Sequence, residues 1–488
     1  MTEYDDIDES KAKRLCYKCI GEKYLKAEVR RKGQRGQCSY CGQSAKSYTL
    51  DDMAERIETA FEEHFRRTSD EPTSWQSAML ADREFDYTWE HDGEPVVWAI
   101  AETAGISEEA AQDIQAILDD KHGSFEAAKL GEETEFCSES HYEECGPDDI
   151  VWQEQWRYFE QSLKTEARFF SRTAAEILSS IFGGIDKMSS TDERPLVIDA
   201  GQQAKMKALY RARVFQSDEK LKEALCRPDR HLGSPPSLLA SAGRMNAHGI
   251  SVFYGATDPV TAIAEVRPPV GSQVAVARFG IIRPLRLLDL TALRAVTEPG
   301  SYFDPEWTAR LERAKFLRSL SQRIARPVMP DDEALEYLST QAIVDFLATE
   351  NEPLLDGIVF PSVQTIGDSL NVVLFHKAAR VETMDIPEGT ELDADKSQMS
   401  DDQDDFEYTV WENVPSKKPS RKRDEEDRWL DVAKFAESER HAYDMDIRDV
   451  TLRIDLQSVK VHIVQSSQFQ CDVRDVRRHR WKKSDNEF

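Results

Sequence analysis

The sequence lacks long apolar runs, and their absence excludes a membrane-spanning helix. No stretch approaches the roughly 20 consecutive apolar residues that a helix needs to cross a bilayer. Residues 1–9 are acidic and polar, without the basic and apolar regions of a secretory signal. We therefore expect a cytoplasmic protein with no membrane partner.

Cysteine is scarce, and half of it lies near the start of the chain. Four of the eight cysteines form two pairs with CxxC spacing, Cys16 with Cys19 and Cys38 with Cys41. Two thiolates three residues apart on a tight turn can both face one ion, and a second such turn completes a tetrahedral shell suited to structural Zn²⁺. The alternative is a disulfide framework, which the cytoplasmic setting and the scattered remaining cysteines disfavour. We expect a zinc site.

Positive charge is also in short supply, and the deficit lies mainly in one segment. The chain has 63 basic and 91 acidic residues, and residues 51–200 alone have 12 basic and 37 acidic residues. Such an acidic segment repels a phosphate backbone, which argues against nucleic-acid binding there. Residues 201–383, with 22 basic and 21 acidic residues, are nearly neutral. A polyanionic small molecule would therefore bind most favourably within 201–383.

Around the cysteine pairs, by contrast, basic residues prevail. Residues 1–50 contain 11 basic and 7 acidic residues. The basic residues around the pairs include Lys18, Lys23, Lys26, Arg30, Arg31, Lys32 and Arg35. These charges are compatible with a nucleic-acid contact. They are more often the solvated surface of a small ribbon with little core of its own, and the sequence favours that second interpretation.

The length of the chain, 488 residues, indicates several domains, because a domain usually has about 100–200 residues. Composition and periodicity predict a zinc ribbon, an α-helical domain, an α+β domain with a mixed or antiparallel sheet, a linker and a C-terminal extension. The expected ranges are 1–50 for the ribbon, 51–200 for the acidic helical domain, 201–383 for the α+β domain, 384–427 for an acidic and mixed-charge linker, and 428–488 for an extension of one helix and a β-hairpin.

Within the helical segment, Cys137, His141 and Cys145 stand at four-residue intervals. This spacing is compatible with a second metal site. Three ligands without a fourth make a weak set, so we favour an incidental polar loop.

Several polar residues of the α+β segment have the chemistry of a nucleotide site. Arg211 and Arg244 can hold a pyrophosphate through paired hydrogen bonds, and Tyr254 can stack on a planar ring. Glu265, which we place in the first turns of a helix opened by Asp258–Pro259, can stabilise an oxocarbenium-like transition state on a ribose. Taken one at a time, these residue types are more often ordinary surface or core residues.

A set of motifs follows in order between about residues 205 and 380. They are Leu209-Tyr210-Arg211-Ala212-Arg213, Gly243-Arg244-Met245-Asn246 with Gly249, Phe253-Tyr254-Gly255-Ala256, Thr261-Ala262-Ile263-Ala264-Glu265, and Asp356-Gly357-Ile358-Val359-Phe360-Pro361-Ser362 with Asn371 and Phe375. Together they resemble the RES domain family, which is named for an Arg, a Glu and a Ser. Tyr337, Thr340 and Gln341 also look like a family feature, whereas Met245 stands where the family commonly has an aromatic residue. The preceding ribbon and helical block resemble the HEPN/RES N-terminal region.

The resemblance implies degradation of NAD⁺, by hydrolysis or phosphorolysis of the nicotinamide–ribose bond, on a fold similar to ADP-ribosyltransferase toxins. The catalytic residues that it implies are Arg211, Arg244, Tyr254, Glu265 and Ser362. The substrate-binding residues that it implies are Arg211, Arg244, Tyr254, Asn246 and Asn371. Because no His-Asp pair accompanies Ser362 in the sequence, we expect this serine to orient the substrate rather than attack it.

The expected protein is a bacterial NAD⁺-consuming effector of the toxin–antitoxin or phage-defence type. An antitoxin or immunity protein and a second copy of the chain are its expected candidate partners, and nucleic acid is left open. The alternatives are an ADP-ribosyltransferase that modifies a macromolecule and a catalytically inactive nucleotide-binding adaptor.

HEPN ribonucleases carry an arginine separated from a histidine by four to six residues. Arg56 and His64, like Arg83 and His91, have seven residues between them. We therefore expect the helical block to leave RNA uncleaved.

Overall fold

The computed structural model describes residues 3–82, 87–124, 133–166, 170–326, 328, 331–365, 367, 369–398, 406–415, 446–468 and 473–479. The chain folds into two compact units. The N-terminal unit comprises residues 1–196 and 291–326, and the C-terminal unit comprises residues 197–290 and 327–488. None of the described helices combines the length and the apolarity that a bilayer crossing requires.

The helices and strands are numbered in chain order. The helices are α1 (Glu3–Ala12), α2 (Lys23–Lys32), α3 (Leu50–His64), α4 (Ser74–Ala81), α5 (Val96–Ala104), α6 (Glu108–His122), α7 (Ile150–Thr165), α8 (Arg172–Phe182), α9 (Asp218–Cys226), α10 (Pro228–His231), α11 (Pro259–Glu265), α12 (Leu290–Leu293), α13 (Trp307–Ala325) and α14 (Glu333–Thr349). The strands are β1 (Arg14–Cys16), β2 (Gln34–Gln37), β3 (Ser44–Thr49), β4 (Phe65–Arg67), β5 (Glu94–Pro95), β6 (His141–Glu144), β7 (Ser189–Ser190), β8 (Val197–Ala200), β9 (Ala208–Phe215), β10 (Phe253–Ala256), β11 (Gln273–Ile281), β12 (Leu285–Asp289), β13 (Val296–Thr297), β14 (Gly357–Pro361), β15 (Leu370–Leu374), β16 (Glu391–Gln398), β17 (Phe406–Asn413) and β18 (Leu452–Ile463).

Helix α3 shows how local sequence starts the helices of the N-terminal unit. The Thr49 hydroxyl accepts a hydrogen bond from Asp52 N at 3.1 Å, and the Asp52 carboxylate accepts one from Thr49 N at 3.2 Å. This reciprocal pair satisfies backbone N–H groups that have no partner within the helix. Met53, Ile57 and Phe61 then follow at helical spacing, and all three are buried.

The cysteine-rich segment and the helices of the N-terminal unit share one core. Leu15 and Leu25, from the expected ribbon, are fully buried in the same apolar cluster as Ile57, Ile100 and Ile114. The expectation of a separate ribbon over residues 1–50 therefore needs revision. This short segment gains its burial from the helices beside it.

The C-terminal unit is built on an eight-stranded mixed sheet, as expected for an α+β domain. The strand order is β18-β11-β9-β10-β15-β14-β12-β8. The β12–β14 pair is parallel, and the remaining pairs are antiparallel. Leu209, Phe253 and Phe279 are fully buried on one face of this sheet. Their burial fixes the register, because a slip of one residue would turn these side chains to the other face.

Two expectations about secondary structure were wrong. The acidic segment expected as a linker contains the β16–β17 hairpin, in which Ala394 is buried. The expected C-terminal hairpin is one long strand, β18, which pairs with β11 on both sides of a register shift at residues 456–459. Arg83 and residues 416–445, which include the start of the expected C-terminal extension, lie outside the described residues.

The first prediction tests whether β18 belongs to the sheet. Leu452 is fully buried opposite Ile281, whereas Leu456 on the same strand is 49% exposed. Leu452→Ala should lower the free energy of unfolding by about 2–5 kcal/mol, because it removes buried methyl groups and leaves a cavity. Leu456→Ala should change it by less than about 0.5 kcal/mol. Equal effects of the two variants in denaturant titrations would contradict this placement of β18.

Candidate active site

Glu265 ends a short helix that lies against the sheet. Helix α11 begins after Asp258, whose Oδ1 accepts a hydrogen bond from Thr261 N at 2.9 Å, with Pro259 in the first turn. The sequence predicted this start correctly, but Glu265 is the last residue of the helix rather than part of its first turns. Ala262 is buried in one cluster with side chains of β9, β10 and β11, and its small size allows the helix to approach these strands.

Two buried side chains hold one oxygen of the Glu265 carboxylate. Ser362 Oγ, just after β14, donates to Glu265 Oε1 at 2.6 Å. Asn371 Nδ2, on β15, donates to the same oxygen at 2.7 Å. Hydrogen bonds to a charged acceptor are among the stronger ones in proteins. Within the described part of the chain, these are the only hydrogen bonds found to the carboxylate, so Oε2 is left for another partner.

The hydroxyl of Ser362 is oriented as a donor. Its Oγ accepts a hydrogen bond from Gln364 N at 3.1 Å while its proton points to Glu265. The Ser362 backbone N–H donates to Ser369 O at 2.9 Å and fixes the position of the residue. This geometry favours an orienting role for the serine.

The Tyr254 hydroxyl is fixed by the polar loop that contains Asn246. It donates to Asn246 Oδ1 at 3.0 Å and accepts from Met245 N at 3.1 Å. Burial raises the pKa of this hydroxyl to about 12, so it keeps its proton near neutrality. The residue as a whole is still 36% exposed. An anchored hydroxyl on a partly exposed residue suits a stacking surface.

The side chain of Asn246 forms hydrogen bonds within its own loop and with Tyr254. Its Nδ2 lies within hydrogen-bond distance of the carbonyls of Ser241, Ala247 and Ile250, at 2.8, 3.2 and 3.0 Å. Its Oδ1 is occupied by Tyr254. The expectation that Asn246 binds substrate therefore changes: its contacts make it a residue that positions the tyrosine.

Helix α14 holds the same loop from the other side. Gln341 Nε2 donates to the carbonyls of Gly243 and Asn246, at 2.9 and 3.0 Å, and Thr340 Oγ1 donates to that of Arg244 at 2.7 Å. Gly243 is required here, because a Cβ atom would lie 2.8 Å from the Tyr254 hydroxyl. The sequence had singled out Thr340 and Gln341 without indicating what they do.

Arg211 has a guanidinium nitrogen that lacks a partner. Its Cζ lies 4.9 Å from the centroid of the Phe253 ring, and its Nη1 is shielded from solvent without a hydrogen bond. Burial, helped by the charge of Arg213, lowers the pKa of Arg211 to about 10, which still leaves it charged at neutral pH. A buried charge with an unsatisfied donor is costly, and an anionic ligand would complete it.

Arg244 lies near two tyrosines, Tyr254 and Tyr337. Its guanidinium is 5.9 Å from the centroid of the Tyr337 ring. The positive charges of Arg244 and Arg211 both act on the Tyr254 hydroxyl, where they oppose the rise in its pKa. The two arginines and Tyr254 therefore form one electrostatic group.

The strand register places Tyr254 near Asn371, which holds the Glu265 carboxylate. Tyr254 pairs with Val373, and Ala256 pairs with Asn371. Tyr254 and Asn371 are thus diagonal neighbours on one face, with Cα atoms about 7–8 Å apart. Strands β9 and β10 pair at one position among the described residues, Tyr210 with Ala256, so they separate beyond it towards Tyr254. No residue pattern in these strands indicates this separation.

The four cysteines of the two CxxC pairs come together as predicted. Their sulfur atoms all lie within 4.8 Å of one another. Burial raises the pKa of the Cys38 thiol, but backbone N–H groups, first that of Cys41, lower it overall to about 7. Four such sulfurs can hold a metal ion, and the set fits Zn²⁺. Among the described residues, Cys137, His141 and Cys145 form no comparable group.

The fold and the sites define a class of protein with two parts: a helical unit with a four-cysteine cluster, and an α+β unit with an Arg, Glu and Ser site. Comparison with protein-family models matches residues 208–396 to the RES domain and residues 31–176 to HEPN/RES N-terminal domain 1. The chain is a RES domain protein with a HEPN/RES N-terminal region. Searches of curated proteins and of solved structures find no match.

The second prediction concerns the metal. Purified protein should contain about one equivalent of zinc per chain, and Cys16→Ser with Cys38→Ser should abolish this content. The double variant should also lower the unfolding temperature of the N-terminal unit, because the cysteine segment shares its core. Cys226→Ser, outside the cluster, is the matched control and should keep the zinc. Protein purified without chelators and found free of zinc by elemental analysis would contradict this prediction.

Proposed function

We propose that this protein cleaves the nicotinamide–ribose bond of NAD⁺ and acts as a bacterial toxin or defence effector. The RES family is associated with enzymes that act on NAD, often as toxins, which supports the substrate class. The observation that carries the proposal is the Glu265 carboxylate, which Ser362 and Asn371 hold by one oxygen.

The chemistry suits a carboxylate held in this way. The bond from ribose C1′ to the nicotinamide nitrogen breaks with its electron pair on that nitrogen, so neutral nicotinamide leaves without needing an acid. Positive charge then develops on the ribose, and the negative charge of Glu265 stabilises it. Water or phosphate adds to C1′, and in hydrolysis the water releases a proton.

The remaining residues fit the rest of the dinucleotide. The orphaned Nη1 of Arg211 is a donor for a diphosphate oxygen. The ring of Tyr254, a partly exposed residue, can pack against the nicotinamide or its ribose. Arg244 supplies a second positive charge in the same group. In this proposal Asn246 and Asn371 position Tyr254 and Glu265, respectively.

The residues assigned to this chemistry all lie in the C-terminal unit, and we propose a regulatory or sensing role for the helical unit. Arg56 donates to Glu28 and to the carbonyl of Phe303, and His64 is buried beside Trp307. Both side chains are thus engaged in packing, in keeping with the expectation that this unit leaves RNA uncleaved.

The third prediction isolates the charge of Glu265. Glu265→Gln keeps the size of the side chain and removes its charge, so kcat should fall about 10²–10³-fold, with a small change in KM. The measurement is nicotinamide release from NAD⁺ by the purified full-length chain. Glu350→Gln, an exposed carboxylate of the same unit, should match the wild type.

Cellular NAD⁺ and growth of a bacterial host provide a second measurement on the same variant. Expression of the wild type should lower cellular NAD⁺ and stop growth, while expression of Glu265→Gln should be tolerated. If the purified wild type and Glu265→Gln consume NAD⁺ at the same rate, the carboxylate has no catalytic role and the adaptor interpretation is favoured.

The fourth prediction uses the unsatisfied charge of Arg211. Arg211→Met keeps an apolar contact with Phe253 but removes the buried charge, so the ligand-free protein should become as stable as the wild type or more stable. Binding of NAD⁺ should weaken by about 1.5–3 kcal/mol, the contribution of a hydrogen bond to a charged group. Thermal unfolding and NAD⁺ titration measure the two effects. Lower stability with unchanged NAD⁺ affinity would show that Arg211 is structural.

A further inference from the structure

Helix α2 presents a row of cations on one face. Lys23, Lys26, Ala27, Arg30 and Arg31 recur at three- and four-residue intervals, which places them in one stripe. The opposite face carries Leu25 and Val29, both fully buried. The buried face fixes the orientation of the helix, so the basic stripe faces away from the core.

The stripe and one aromatic ring surround a concave site. Tyr17, Lys23, Lys26, Ala27, Arg30 and Arg31 line a cavity of about 420 Å³. The Arg30 guanidinium lies 5.9 Å from the centroid of the Tyr17 ring. No carboxylate is among these lining residues, although the chain as a whole has a net charge of −28. The site therefore combines four positive charges with a flat aromatic surface.

The cations of the stripe have no acidic partners. Among the described residues, none of Lys23, Lys26, Arg30 and Arg31 forms an ion pair with a carboxylate. Their neighbour Lys32 pairs with Glu28 at 2.9 Å, and Lys13 pairs with Asp113 at 2.8 Å. Four adjacent like charges repel one another, and a bound polyanion relieves that repulsion.

We propose that Tyr17 and the basic face of α2 bind single-stranded nucleic acid. The four cations contact phosphates, and Tyr17 stacks on an unpaired base, as in other single-strand binding sites. From Lys23 to Arg31 the helix rises about 12 Å, which is enough for a short stretch of backbone. Two other ligands fit less well. A duplex keeps its bases stacked inside, away from Tyr17. An acidic protein partner could pair with the cations, but it would gain little from the Tyr17 ring. The combination of ring and cations therefore favours a single strand.

The test measures binding of the full-length, zinc-loaded chain to a fluorescent single strand of about 15 nucleotides. RNA and DNA of the same mixed sequence form two arms, since both offer phosphates and unpaired bases. With four phosphate contacts, the logarithm of the binding constant should fall against the logarithm of salt concentration with a slope of about −3. Replacing all four cations by glutamine, which preserves helix propensity, should weaken binding at least tenfold at about 50 mM salt and flatten the slope.

Substitutions of Tyr17 separate stacking from simple charge attraction. Tyr17→Leu keeps the apolar packing and should weaken binding about tenfold without changing the salt slope. Tyr17→Phe retains the ring and should bind like the wild type. Zinc content and the unfolding temperature, measured on each variant, establish that the cysteine cluster next to Tyr17 is intact.

A matched control removes four exposed lysines from other surfaces. These are Lys164, Lys187, Lys205 and Lys220, and their replacement by glutamine should leave binding unchanged. Equal weakening by the control set would overturn the proposal, because it would show attraction by overall charge. Absence of binding by the wild type at about 50 mM salt, or duplex binding that ignores Tyr17, would also overturn it. So would self-association of the chain that the stripe variant abolishes while oligonucleotide binding persists.

Discussion

The position of the Glu265 carboxylate depends on two hydrogen-bond donors from neighbouring strands. Ser362 follows β14 and Asn371 lies on β15, and these strands pair directly, with Phe360 opposite Asn371. Both donors meet the same carboxylate oxygen, because α11 ends where the two strands bring them together. A longer α11 would carry its last residue past them. The length of this helix and the register of the β14–β15 pair thus set the position of one charge.

The arginine and tyrosine group is arranged by a different device. A polar loop fixes Tyr254 through Asn246, and Gln341 of α14 fixes the loop in turn. These contacts are made within the protein itself, so the proposed binding surface is preorganised and little ordering is needed on binding. Arg211 is the exception, since one of its buried donors lacks a partner. A site that is complete except for one donor facing no acceptor is the pattern expected when an anion supplies the missing contact.

Local sequence predicted what local interactions decide. Asp258 and Pro259 mark the start of α11, and the CxxC spacing brings four thiols together, because each depends on residues a few positions apart. The sequence could not show that β18 pairs with β11, since strand pairing depends on distant partners. It also did not show that Asn246 and Asn371 position other side chains, because an asparagine that binds substrate and one that positions a neighbour are the same residue in the sequence. The basic stripe of α2 has a helical period that the sequence does display, but its lack of acidic partners is visible only in three dimensions.

Product analysis decides whether the chain breaks the nicotinamide–ribose bond, as we propose. Purified full-length protein is incubated with NAD⁺ labelled in its adenylate phosphate, with and without inorganic phosphate, and binding is followed in parallel by thermal shift. Cleavage should give free nicotinamide together with labelled ADP-ribose in water, or ADP-ribose phosphate when phosphate is the acceptor. NAD⁺ that binds the protein and remains intact in both conditions would contradict it, and label that stays on a macromolecule would identify a transferase instead.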